Sequence, residues 1–251
     1  MNRRSTIAAL LLLCLSIAPA VQAERIRVAV AANFAGAAQH VADAFEQATG
    51  HTVELVAGST GKHYAQIVNG APFDLLLAAD RARPERLEQD GHAVPGSRVT
   101  YALGRLVLWS PDAERVDAAG EVLRRGAFRH LALANPRLAP YGEAARETLE
   151  HVGLWTALQG RLVYGENVGQ AFGFVASGAA ELGFVALAQV RQYGAAHGSA
   201  WIVPASFHEP IEQQAILLRN APAAAEFLAF LTGDAGARIV AAQGYGVPDV
   251  H

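Results

Sequence analysis

The chain has 251 residues, of which 52% are apolar and 17% charged, with 24 glycines and 11 prolines. This composition excludes a low-complexity or disordered chain and gives room for one large domain or two smaller ones. The formal net charge is −3, and with no run of basic residues the chain has no general electrostatic grip on nucleic acid.

The first residues read as an export signal rather than as part of the fold. Asn2-Arg3-Arg4 is a positive start, Ile7 to Ile17 is apolar, and Val21-Gln22-Ala23 offers small residues for cleavage after Ala23. The apolar run is well short of the ~20 residues that span a bilayer. Cys14 follows bulky Leu12-Leu13, unlike a lipoprotein signal, and Arg3-Arg4 precedes Ser5-Thr6, unlike a strong twin-arginine signal. Cleavage removes the only cysteine, so the mature fold has no disulfide. It also removes two of the 20 basic residues, leaving 18 against 23 acidic ones and a net charge of −5. An anion would then be held by a local array of donors, not by a positive field.

The mature chain alternates strands and helices. Arg25 to Ala32 predicts a buried strand. After Asn33-Phe34-Ala35-Gly36, the apolar stripe Ala38, Val41, Ala42, Phe45 and Ala48 predicts a helix ended by Gly50. His51 to Val56 predicts a strand, Val56-Ala57-Gly58-Ser59-Thr60-Gly61-Lys62 a turn, and Tyr64 to Val68 a helix. Phe73 to Ala78 predicts another strand, followed by a helix through Leu87 with Asp80 as its cap. Tyr101 to Trp109 reads as one long strand able to cross between two lobes. A second α/β series follows: strand Leu131–Leu133, loop residues through Pro140-Tyr141-Gly142, helix Glu143–Val152, strand Arg161–Tyr164, loop Gly165-Glu166-Asn167-Val168, helix Gly169–Ala176 and strand Leu182–Val185. Gln213 to Leu218 predicts a strand returning to the first lobe, and Pro222–Leu231 and Gly236–Gln243 predict closing helices. This alternation predicts parallel sheets covered by helices, in two similar lobes with helix starts facing a cleft.

Four of the loops share one chemistry. Ala31-Ala32-Asn33-Phe34, Gly58-Ser59-Thr60-Gly61, Pro140-Tyr141-Gly142 and Asn167-Val168-Gly169 each follow a strand and open a helix. They offer hydroxyls, amides and helix-start N–H groups, which suit an anion. Taken singly, each has an ordinary reading: Ser59 or Thr60 as a helix cap, Asn33 as a turn residue, Tyr141 as an interface aromatic. Lys62 resembles a P-loop lysine, but the spacing fails and His63 replaces the hydroxyl residue; it reads as a helix-surface charge. Glu166 reads as a solvated or helix-capping carboxylate. No close histidine pair suggests a zinc site, and no nucleophile elbow is present.

In register, these pieces resemble the periplasmic molybdate-binding proteins of ABC importers, over about Arg25 to Val247. The resemblance rests on Ala31-Ala32-Asn33-Phe34, on Gly58-Ser59-Thr60-Gly61-Lys62 with Gln66-Ile67, and on Gly70-Ala71-Pro72-Phe73-Asp74 leading to Ala78-Ala79-Asp80. Leu133-Ala134-Asn135-Pro136, Pro140-Tyr141-Gly142, Gly165-Glu166-Asn167-Val168, Leu182-Gly183-Phe184-Val185 and Gly244-Tyr245-Gly246 follow in order. The resemblance implies two Rossmann-like lobes joined by two crossover strands, the type II periplasmic binding protein fold, with the ligand in the interlobe cleft. Residues 24–101 with 215–251 would form one lobe and 102–214 the other. It implies oxyanion contacts at Asn33, Ser59, Tyr141 and the backbone of Val168, with Ala32, Thr60 and Asn167 in support. Some members carry a tyrosine where this chain has Ala186, and the Tyr141 hydroxyl is the candidate replacement. The resemblance further implies a monomeric, non-enzymatic periplasmic protein without cofactor that carries molybdate or tungstate to a membrane permease. A binder of another tetrahedral oxyanion such as sulfate, or an exported enzyme on the same fold, are the alternatives.

Overall fold

The computed structural model describes residues 23–194 and 198–246. The export-signal reading therefore lies, but for Ala23, outside the described residues.

Among the described residues, ten strands form two five-stranded sheets. The first half of the chain runs β1 (Arg25–Ala31), α1 (Ala35–Thr49), β2 (Thr52–Gly58), α2 (Thr60–Val68), β3 (Leu75–Leu77), α3 (Ala82–Gln89) and β4 (Val99–Leu103). The second series runs β5 (Leu106–Ser110), α4 (Val122–Arg125), β6 (Leu131–Ala134), α5 (Pro140–His151), α6 (Trp155–Leu158), β7 (Leu162–Gly165), α7 (Val168–Ala176), β8 (Leu182–Ala186), α8 (Leu187–Gly194) and β9 (Ser199–Ile202). The chain then returns through β10 (Glu212–Leu217) to α9 (Pro222–Thr232) and α10 (Asp234–Ala242). The sheet orders are β2-β1-β3-β10-β4 and β7-β6-β8-β5-β9. β1, β2 and β3 run parallel and β10 antiparallel to β3 and β4; β6 runs parallel to β7 and β8, while β5 is antiparallel to β8 and β9.

Sequence explains the central strands. β1, β3, β5, β6 and β8 are nearly continuous apolar runs because helices cover both of their faces. Val28, Leu75, Leu77, Phe34, Phe45 and Phe227 form the core of the first lobe, and Trp109, Leu131, Leu133, Leu149 and Phe184 that of the second. The lobes also share residues. Ala31 and Ala79, at the strand ends of the first lobe, pack with the second-lobe core, and Ala188 of α8 packs with the first. The two halves therefore meet closely. Among the described residues no helix is long and apolar enough to cross a membrane.

The structure corrects three local expectations. Tyr101–Trp109 is not one strand: the chain leaves the first sheet after Leu103 and enters the second at Leu106. Gly104 is needed at this crossing, since its N–H donates to the Ile211 carbonyl and a Cβ there would collide with the Tyr141 hydroxyl. α5 begins at Pro140 rather than Glu143, so Tyr141 sits in a helical first turn, where proline's missing N–H is tolerated. α2 begins at Thr60, before the apolar pattern that announced it. The helices α4, α6 and α8 and the strand β9 have no counterpart among the elements expected from sequence.

Candidate functional site

Parallel register brings the four loops together. Ala31 pairs with Gly58 at the carboxyl ends of β1 and β2, and Ala134 with Gly165 at those of β6 and β7. The segments that follow, two from each lobe, face one another across the cleft. They line a small cavity of about 10 Å³, about the room one water molecule needs. All seven residues singled out from sequence line it: Ala32, Asn33, Ser59, Thr60, Tyr141, Asn167 and Val168. The remaining lining is Ala31, Gly58, Ala79, Ala139 and Pro140, so no charged side chain reaches the cavity wall.

Each loop delivers donors for a stated reason. Ser59 takes an extended conformation as N-cap of α2, and its Oγ accepts from the Lys62 N–H at 3.3 Å. Thr60 Oγ1 accepts from the Ala79 N–H at 3.0 Å. Capping uses the oxygen of each hydroxyl and leaves its proton available to a ligand. Asn167 caps α7 in the same way, its Oδ1 accepting from the Gln170 N–H at 2.9 Å. The Val168 N–H then opens the helix without an intrahelical partner. In α5, Pro140 has no N–H, so Tyr141 supplies the helix's first one. The starts of α2, α5 and α7 thus converge, and their partial positive charges add.

Tyr141 is buried, and its hydroxyl makes no hydrogen bond of ordinary geometry among the described residues. Burial pushes its pKa well above the usual range and the nearby Tyr245 phenol adds to this, while the Arg105 backbone and the Asn33 side chain pull weakly the other way. The phenol therefore stays protonated, able to donate. Asn33 is buried too, with its Nδ2 2.6 Å from Gln213 Oε1. Tyr245 donates to the Asn33 carbonyl. Gln213 and Tyr245 were missed as site residues, although Gln213-Gln214 leading directly into the apolar half of β10 was a visible signal.

Behind the Ser59 loop lies His63, whose ring would block a Cβ at Gly58. Its pKa is lowered, chiefly by burial, with hydrogen bonds to Gln66 and the Val30 carbonyl opposing. A neutral ring there adds no charge behind the Ser59 loop.

Two contacts bridge the lobes at the rim. The Gly61 N–H donates to the Leu138 carbonyl at 2.9 Å. Lys62 Nζ lies 3.4 Å from Glu166 Oε2, with both side chains more than half exposed. Neither charge lines the cavity, and both find their partner in the facing lobe. Ala186 ends β8 beside the crossing, paired with Leu106.

Comparison with known proteins shows the family to which this fold belongs. Residues 26–246 match the family model described as bacterial extracellular solute-binding protein. The molybdate-binding protein ModA of Azotobacter vinelandii is 48% identical over 235 residues, covering 92% of this chain and 93% of that protein. The molybdate-binding protein ModA of Rhodobacter capsulatus is 42% identical over 238 residues, covering 94% and 93%. The solved structure of the Azotobacter vinelandii periplasmic molybdate-binding protein superposes with a TM-score of 0.86 at 47% identity, covering 89% of this chain and all of that one. The chain belongs to the bacterial extracellular solute-binding proteins and, among them, to the ModA-type molybdate-binding proteins.

Proposed function

We propose that the protein captures molybdate in the interlobe cleft and delivers it to an ABC importer, as a binding protein and not an enzyme. The observation that carries this reading is the lining of the cavity, which combines hydroxyls, an amide and helix-start N–H groups with no charged side chain. Molybdate is a fully deprotonated dianion near neutral pH and offers only acceptors. A cavity made of neutral donors matches it. Phosphate keeps a proton near neutral pH, and no carboxylate is in place to accept it. Hydrogen bonds to a charged acceptor contribute about 1.5–3 kcal/mol each, so a handful of them supports tight binding without an arginine.

Asn33, Ser59, Tyr141 and the Val168 N–H are the direct contacts in this reading, with Ala32, Thr60 and Asn167 beside them. The Tyr141 hydroxyl takes the place of the donor that some family members carry at the position of Ala186. Support comes from its burial and from the lack, among the described residues, of a hydrogen-bond partner of ordinary geometry for its hydroxyl. Two lobes close on the ligand, divided near Gly104 and Ile211 rather than at 101 and 215, since Ala102, Leu103 and residues 212–214 pair within the first sheet. The first 23 residues direct export and are removed, and the mature protein works as a periplasmic monomer that takes tungstate as well as molybdate.

A thermal-shift series tests the reading. Molybdate in large excess should raise the melting temperature, because a ligand at 1,000 times its Kd stabilises by about 4 kcal/mol. Phosphate should leave it unchanged. A melting temperature indifferent to molybdate would contradict the proposal.

A further inference from the structure

The Asn33 side chain turns its amide nitrogen inward. Nδ2 lies 2.6 Å from Gln213 Oε1 and 3.4 Å from the Tyr245 hydroxyl. Tyr245 spends its own proton on the Asn33 carbonyl at 2.5 Å, so toward Nδ2 it only accepts. Both amide protons of Asn33 thus have acceptors inside the protein. What the side chain has left for a ligand is Oδ1, an acceptor, which repels an oxyanion. Gln213 shows the complementary defect. It is fully buried, and its Nε2 has no partner among the described residues. A buried donor left without a partner is costly.

One rearrangement answers both. If the two amides turn over together, Gln213 Nε2 donates to Asn33 Oδ1 across the same short contact, and Asn33 Nδ2 becomes available to the cavity that Asn33 lines. Turning an amide exchanges its donor and acceptor ends without moving the backbone.

We infer that Gln213 on β10 is a positioning residue for oxyanion binding, whose paired amide rotation with Asn33 decides whether Asn33 presents an acceptor or a donor to the ligand. This rests on the cavity being the oxyanion site. Because β10 is the returning crossover strand, the same residue ties ligand sensing to the segment that joins the lobes.

The test pairs calorimetry with side-chain amide resonances, using the full mature protein and sodium molybdate. In the parent, the Asn33 side-chain amide signals should shift strongly on saturation. Ionised, the carboxylate of Gln213→Glu can only accept, so at alkaline pH it holds Asn33 Nδ2 inward; molybdate affinity should drop at least about tenfold, and the Asn33 signals should stay put. Gln213→Met, neutral and of similar size, keeps the test open if the buried carboxylate impairs folding. It leaves Asn33 Oδ1 unpaired, so affinity should fall severalfold while the Asn33 signals still respond. If the parent binds molybdate but its Asn33 signals do not move, or if both variants bind within about twofold of it, the inference is wrong and the binding function stands. A parent that gives no molybdate heat overturns both.

Discussion

The Gly61 N–H in the first lobe donates to the Leu138 carbonyl in the second at 2.9 Å. A Cβ built on Gly61 would lie 2.8 Å from that same oxygen, closer than side chains approach backbone carbonyls. Gly61 is therefore a glycine because the lobes touch there, not because its backbone is strained.

Gly61→Ala separates folding from closure. Alanine inside a helix is favoured over glycine by up to about 1 kcal/mol, so the ligand-free variant should melt no lower than the parent. Closure meets the added methyl, so molybdate affinity should fall about tenfold or more. Small-angle scattering should show less compaction on adding molybdate. A variant that compacts and binds like the parent would show that the Gly61–Leu138 contact is not part of the closed state.

Tyr141→Phe removes one hydroxyl from a buried position and little else. If the hydroxyl donates to the ligand, the loss of a hydrogen bond to a charged acceptor, about 1.5–3 kcal/mol, lowers affinity roughly 10- to 100-fold. The phenol's raised pKa keeps it protonated, so the ratio of parent to variant affinity should be flat between pH 6 and 9. Affinity within twofold of the parent would exclude the hydroxyl as a contact.

Lys62→Met breaks the rim pair with Glu166 without touching the cavity. Both partners are more than half exposed, and exposed pairs contribute about 0.2–1 kcal/mol. The expected loss of affinity is fivefold at most, seen at low salt and gone at 1 M salt, where charges are screened within about 3 Å. A large, salt-independent loss would place Lys62 in the binding site itself.

Glu181 supplies a pH dependence of folding. Burial works to raise its pKa, but hydrogen bonds from the His130 N–H and the Arg129 guanidinium outweigh it and hold the value at about 2, below the ordinary 4.5. A carboxyl whose pKa is depressed in the folded state stabilises fully above its unfolded pKa, and that contribution is lost as pH falls toward the folded value. The urea midpoint of Glu181→Gln should therefore lie below the parent's at pH 6, and the gap should close between pH 4.5 and 2. A gap that stays constant over that range would contradict the assignment.

The alternation of elements and the four site loops were legible in the sequence because their signals are local. Gly58-Ser59-Thr60-Gly61 announces a strand giving way to a capped helix whatever the rest of the chain does. The crossing at Gly104 was not legible: apolar runs flank Gly104-Arg105 on both sides, and β-forming character does not say which sheet a residue joins. α5 starts three residues before the residue pattern places it, because proline and glycine read as a break, whereas Pro140 sits in the first turn, where no N–H is needed, and Gly142 fits against the Ala134 carbonyl. The contacts that complete the site are long-range. Asn33 and Gln213 are 180 residues apart and Lys62 and Glu166 are 104 apart, separations at which residue pattern carries no pairing information.

Titration calorimetry of the mature protein with molybdate, tungstate, sulfate and phosphate at pH 7.5 tests the central claim most directly. Expected are one molybdate site per chain with submicromolar affinity, and no heat with phosphate, whose proton finds no acceptor in the cavity. Absence of heat with every one of the four oxyanions would contradict the reading of the interlobe cavity as an oxyanion site.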